Sequence, residues 1–326
     1  IAISTALLAF AVVPFGPTTP VPQPASGWPQ TVQQEAALKQ DAAYQQAVSE
    51  YNQRYQFAIA PGLDIGIVFV FAVGSLNVYA IVLGGWSSNN KYSFMGSLRA
   101  SAQVISYEIP LGMSILGVAL MVGSLNLERI IAYQVQHGWF FLYQPLALIL
   151  FVTAVFAECN RLPFDLSECE QELVGGYHTE YSGMKFAMFF LGEYTHMITT
   201  SFLVSALFFG GWHLPPITNV EGFAGLVLKL IVFVGKMSLF IFFFMLIRWT
   251  LPRFRFDQLM GLAWRVLIPL SLLNLLAALL VKQVGASLWI LSLLSLVIFI
   301  GAGYLTASTP ASRRPKLVAE AHGAHH

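Results

Sequence analysis

The sequence predicts an all-α fold, a polytopic transmembrane bundle of about eight spans. Three observations predict it. Hydrophobic residues make up 56% of the 326-residue chain and charged residues only 10%. A soluble domain carries roughly 25% charged residues, so this chain lacks the polar surface that water on every side would demand. The apolar residues also gather into runs close to the roughly 20 residues a helix needs to cross the hydrocarbon core. Inside lipid each backbone polar group must be paired within its own segment, which makes such runs helices. A net charge of +1 gives no electrostatic reason to expect nucleic acid as a partner.

The elements follow in order. Residues 1–15 (IAISTALLAFAVVPF) have no Met and no basic leading segment, so they read as a partial transmembrane helix with residues expected upstream, and not as a signal peptide. Residues 16–62 form a loop: a proline-rich stretch, PFGPTTPVPQP, then an Ala-, Gln- and Glu-rich stretch that reads as a surface helix. The bundle occupies 63–306, with spans at about 63–84, 103–123, 140–158, 185–209, 224–248, 262–281 and 287–306. Within it lie an acidic loop, 159–184, and a basic loop, 249–261; residues 307–326 are a tail. Eleven Lys and Arg residues fall on the side of those two loops and the tail, Lys91 and Arg99 among them in an earlier loop. Four fall on the other side, and two lie inside a span. The positive-inside rule makes the side with eleven cytoplasmic, the C-terminus included, and the 16–62 loop external. The chain shows no internal repeat and no inverted pair of interrupted spans of the secondary-transporter kind.

Metal and redox motifs are absent. Cys159 and Cys169 match neither a CxxC pair nor a zinc knuckle, and read as incidental thiols. His322, His325 and His326 read as part of a solvated tail. The informative charges are acidic. Glu158, Asp165, Glu168, Glu170, Glu172, Glu180 and Glu193 fall within 36 residues, opposed only by Arg161 and Lys185. Their flanks are apolar, and Glu193 lies some nine residues into a span. A buried carboxylate costs several kcal/mol unless paired, hydrated or protonated. Such groups suit the uptake and release of protons. Glu168 and Glu172 share a face if their stretch is helical. Glu108, near the end of its span and followed by Pro110, and Lys236, in mid-span, extend the pattern. A line of ionisable groups through a helical bundle is what a proton relay requires.

Residues 158–194 read ECNRLPFDLSECEQELVGGYHTEYSGMKFAMFFLGEY. This run resembles the signature of the H-type membrane subunit (membrane subunit one in mitochondria) of proton-translocating NADH:quinone oxidoreductase, respiratory complex I. GGWSSNNKYSFMGSLRASAQVISYEIPLG (84–112) and RWTLPRFRFDQLMGLAWRVLIPLSLLNL (248–275) agree, and the resemblance covers nearly everything from 63 to about 280. It implies a subunit without a redox centre, at the junction of the membrane and hydrophilic arms, forming the membrane-side entrance of a quinone chamber. Quinone, ubiquinone or menaquinone, is then a substrate; iron–sulfur clusters and FMN belong to partner subunits. The partners implied are the hydrophilic quinone-site subunits and adjacent small membrane subunits, in the plasma membrane of a bacterium.

Carried over residue by residue, the resemblance puts Arg161, Asp165, Glu168, Glu170 and Glu172 in the loop beside the quinone chamber. It puts Glu108, Glu158, Glu180, Glu193 and Lys236 in the proton conduit, and Arg253, Arg255 and Asp257 in the second cytoplasmic loop. The chemistry agrees: quinone reduction takes two electrons and two protons, so carboxylates nearby are sensible, and an apolar lining suits an isoprenoid tail. The family's first span and the amphipathic segment after it are expected upstream of residue 1, and the 16–62 loop is longer than the family's usual link. Phe256 stands where tyrosine is common and Arg265 where lysine is common. The nearest rival is a related membrane subunit of an energy-converting hydrogenase or another reduced-cofactor dehydrogenase, which shares the helices and acids. A stand-alone channel or secondary transporter is the alternative from another class.

Overall fold

The computed structural model describes residues 2–14, 22, 34, 37, 40–53, 65–165, 176–215, 223–285 and 287–308, and their regular structure is helical throughout. The protein is an all-α, polytopic membrane protein. Its helices are α1 (Ala2–Ala9), α2 (Ala42–Gln53), α3 (Gly66–Ser75), α4 (Asn77–Ser87), α5 (Lys91–Val122) and α6 (Leu127–His137). There follow α7 (Phe140–Tyr143), α8 (Pro145–Glu158), α9 (Gly183–Phe208), α10 (Phe223–Thr250), α11 (Phe256–Leu262), α12 (Ile268–Val284) and α13 (Leu288–Ser308). Among the described residues, Gly66–Ser87, Lys91–Val122, Ala224–Thr250 and Phe256–Val284 are long and apolar enough to cross a bilayer. A π-helical turn, Ala263–Leu267, joins α11 to α12 without breaking that last rod. Helix α9 has the length as well, at 26 residues, but carries Lys185, Glu193 and His196.

Helix α5 is the post of the bundle and packs against α4, α8 and α12. It begins earlier than the sequence reading placed it. Lys91 and Arg99, expected in a loop, lie on its first turns. The reason is a cap: Asn90, extended at φ −118°, accepts a hydrogen bond from the Tyr92 amide at 3.0 Å. Small residues then let neighbours approach. A Cβ added at Gly85 would stand 2.3 Å from Ser97 Cβ, so α4 and α5 meet backbone to backbone. A Cβ at Gly96 would stand 2.9 Å from the Gly176 Cα, which is how the turn Gly176–His178 comes to lie on α5. Ser93 Oγ fixes that seat by donating to the Tyr177 carbonyl at 3.1 Å.

On the opposite side of the bundle α2 rests on α6, a helix between spans that the sequence reading did not distinguish. Tyr44 and Tyr51 of α2 are buried there; the Arg129 guanidinium lies 5.9 Å from the Tyr44 ring and the Tyr51 side chain faces the Glu128 carboxyl. Burial raises the Glu128 pKa above its ordinary value, against the opposing pull of Tyr51 and Arg129.

Candidate functional site

Helix α8 ends at Glu158, and the chain then turns back through Asn160, held at φ 48°. Gln103 of α5 pins this turn: its Nε2 donates to the carbonyls of Ala157 and Phe164, each at 2.8 Å. A fully buried amide spent on two loop carbonyls fixes where the next side chains stand.

The first is Arg161. Its Nη2 lies 3.7 Å from Glu193 Oε2 and its guanidinium carbon 4.4 Å from the centre of the Tyr194 ring. Both partners come from α9, so the pairing ties the loop to the span. Only 11% of the Arg161 side chain and 9% of the Glu193 side chain are exposed. In surroundings of that kind the attraction is unscreened, and removing one partner strands a buried charge. Tyr177 donates its hydroxyl to Glu193 Oε1 at 3.1 Å, and His178 Nε2 stands 4.0 Å from the same oxygen. That last contact is not an ion pair. Burial among Phe186, Phe189 and Phe190 lowers the His178 pKa from 6.5 to about 4, so the ring is neutral near pH 7.

One turn along α9 the second acidic contact forms, between His196 Nε2 and Glu158 Oε1 at 3.3 Å. The end of α3 reaches two of the carboxylates. A Cβ at Gly74 would lie 3.8 Å from Glu158 Oε1, and the neighbouring Ser75 donates its hydroxyl to Glu108 Oε1. The 161–165 turn meets the 251–255 segment as well. Arg253 Nη2 donates to the Asp165 carbonyl and stands 4.0 Å from Asp165 Oδ1, while the Phe254 amide donates to the Pro163 carbonyl at 3.2 Å.

The structure thus brings together Arg161 with Glu193, Asp165 with Arg253, and Glu158 with the helix end that bonds Glu108. Other residues singled out in the sequence stand apart from this cluster. Glu180 is exposed and accepts from Asn90 Nδ2 at 2.7 Å. Arg255 and Asp257 are exposed around the start of α11, where an acid in the first turn suits the helix dipole. Lys236 serves the other end of α9: its ammonium donates to the carbonyls of Phe209, Gly211 and His213 at 2.6, 2.9 and 2.7 Å, over the ring of Trp139. Glu168, Glu170 and Glu172 lie outside the described residues. Sequence reasoning passed over Tyr177, His178, Ser75 and His196. Only His196 carried a signal, its spacing of three from an intramembrane glutamate.

A groove of about 670 Å³ opens beside the cluster, within the roughly 300–1,000 Å³ of small-molecule sites. Leu7, Leu83, Trp86, Met188 and Phe189 line it with Tyr181. Phe189 belongs to both features, since its ring lies 5.5 Å edge-on from Tyr177, whose hydroxyl bonds Glu193.

An α-helical membrane protein that holds carboxylates, an arginine and histidines in contact beside an apolar groove belongs to the class of membrane proteins with an internal charged network. A sequence profile of the family described as NADH dehydrogenase matches residues 1–279, and the chain belongs to that family. Three relatives, each named as an H-type subunit of NADH-quinone oxidoreductase, show how far the likeness runs. The protein of Cytophaga hutchinsonii is 47% identical over 215 residues, 65% of this chain and 63% of that protein. The protein of Protochlamydia amoebophila is 51% identical over 213 residues, 65% of this chain and 62% of that protein. The protein of Leptospira biflexa is 44% identical over 278 residues, 83% of this chain and 70% of that protein. The chain therefore spans under two thirds of the length of the Cytophaga and Protochlamydia proteins.

Proposed function

We propose that this chain is the membrane subunit of respiratory complex I that borders the quinone chamber and couples quinone reduction to proton translocation. The observation that carries the reading is the shared aromatic wall: Phe189 lines the apolar groove and touches the tyrosine that bonds the Glu193–Arg161 pair. A groove of that size and lining accepts a quinone head and the first part of its tail. Redox change at the head reaches the charged cluster through one ring and one hydroxyl. Electrons are supplied by partner subunits that hold FMN and iron–sulfur clusters, since the reading gives this chain no redox centre of its own. In this reading Glu108, Glu158, Glu180, Glu193 and Lys236 are the conduit residues, with Glu180 at the exposed face and Lys236 at the far end of α9 from the Arg161–Glu193 contact; Arg161, Asp165, Glu168, Glu170 and Glu172 border the chamber. Arg253, Arg255 and Asp257 form the facing loop. The subunit lies in a bacterial plasma membrane with 159–184, 249–261 and the C-terminus on the cytoplasmic side.

The test is to purify the assembly through a tag on this chain and assay electron transfer from NADH to a short-chain quinone. Inhibitor-sensitive activity, with flavin and iron–sulfur clusters in the preparation, is the expected result. Hydrogen evolution or oxidation without quinone reduction would refute the reading in favour of the hydrogenase branch.

A further inference from the structure

Helix α9 carries two ionisable side chains one turn apart, Glu193 and His196. Glu193 is surrounded from the loop by Arg161, Tyr177 and His178. His196 faces α8 instead, where its Nε2 stands 3.3 Å from Glu158 Oε1 and each side chain is only 11% exposed. That nitrogen is buried, and the Glu158 carboxyl is the polar group it faces. A histidine buried for packing alone would leave a polar atom unsatisfied at a cost; one beside a carboxyl has a use for it.

A cavity of about 20 Å³ adjoins the pair, lined by Glu158, His196, Asn77, Thr5, Thr199 and Thr200 among others. It exceeds the roughly 10–15 Å³ that one water occupies, and polar groups on several sides are what retain such a water. Among the described residues, Glu158 is the charged group that His196 faces. Helix α1 contributes Thr5 and no ionisable residue, and α3 and α4 contribute Gly74 and Asn77. Buried Cys159 has its Sγ 3.4 Å from Thr200 Oγ1. Helix α6 meets α9 through Gln134 at Ala206 and Leu207, about three turns beyond His196. On α10, Lys236 is held by carbonyls past the end of α9.

We infer that His196 is a proton-carrying residue paired with Glu158. The carboxyl of Glu158 passes its proton from Oε1 to His196 Nε2, leaving a carboxylate and an imidazolium; the return of that proton restores both neutral groups. A proton thereby crosses between α8 and α9 one turn deeper than the Arg161–Glu193 contact. The inference rests on the conduit reading above and adds to it a histidine and a water site.

The experiment uses the purified complex in liposomes, with NADH-driven quinone reduction and proton translocation per electron followed across pH. The variants are His196→Gln, whose amide fills the space but carries no proton, and His196→Ala with and without added imidazole. Expected for His196→Gln is a complex of normal subunit content that binds a quinone-site inhibitor but loses coupled translocation and the acid limb of its pH profile. Expected for His196→Ala is loss of translocation and its recovery with imidazole, which also decides the matter if the Gln variant does not assemble. Translocation per electron equal to wild type in either assembled variant, or no recovery with imidazole, overturns the inference. A wild-type complex that does not reduce quinone overturns the functional reading and this inference with it.

Discussion

His178 makes the loop over the charged cluster sensitive to acid, and the size of the effect follows from its surroundings. Its ring lies 3.7 Å from that of Tyr177 and 5.3 to 5.8 Å from three phenylalanines, and burial there holds its pKa at about 4 against an ordinary 6.5. In an opened loop the ring meets water and regains the ordinary value. Above that value neither form binds a proton and the two are unaffected by pH. Below it the open form protonates while the closed form does not, so closure is lost progressively as pH falls from 6.5 toward 4. At about pH 5 the open form has gained roughly 1.5 pH units of protonation free energy, or about 2 kcal/mol, which is roughly thirtyfold in the opening equilibrium.

Hydrogen exchange at Tyr177 and His178 in the purified complex, corrected for the intrinsic effect of pH, measures that equilibrium. The wild type should lose about thirtyfold protection between about pH 7.5 and pH 5. His178→Phe keeps an aromatic ring among the phenylalanines and removes the titrating nitrogen, so its protection should hardly change over the same interval. An equal loss of protection in the variant would refute the reasoning, because the acid sensitivity would then belong to another group.

Four further outcomes test the functional reading and the packing around it. Glu193→Ala should lower proton translocation per electron more than it lowers binding of a quinone-site inhibitor; equal pumping per electron would count against a conduit role. Glu170→Gln should impair quinone reduction with assembly largely intact, and full activity with normal pumping would remove it from the chamber loop. Lys236→Met strands three carbonyls at the end of α9, and with charged hydrogen bonds worth roughly 1.5–3 kcal/mol each the loss should be about 3 kcal/mol or more, seen as earlier thermal dissociation of the complex. Glu128 has a raised pKa in the folded state, so its contribution to docking α2 on α6 is present at low pH and declines as pH rises past its ordinary value. Glu128→Gln should accordingly protect α2 from proteolysis near neutral pH, where unchanged cleavage would rule out a cost from the carboxylate.

The all-α class was legible because a bilayer sets the length of an apolar run, and a helix pairs its backbone groups within its own segment. Local capping was the part that composition hid: Asn90 moves the start of α5 back to Lys91, through residues too polar to read as span. For the site, the sequence reading recognised the charged residues but not their arrangement. Arg161 and Asp165 are four apart in one loop, yet one pairs with α9 and the other with the 251–255 segment. What separates them is Gln103, fifty residues and more away, which anchors the turn between them to α5. Lys236 shows the converse. Its depth in an apolar run marks it as a residue that needs a partner, and the partners turn out to be three carbonyls beyond the end of α9. Backbone carbonyls have no signature in a sequence, so a buried lysine awaiting carboxylates and one capping a helix end look alike until the chain is folded. The same limit explains Tyr177 and Ser75, which matter through a single hydroxyl each and carry no charge to draw notice. A buried charge announces that it must be compensated; it does not say by what, and in this fold neutral groups give part of the answer.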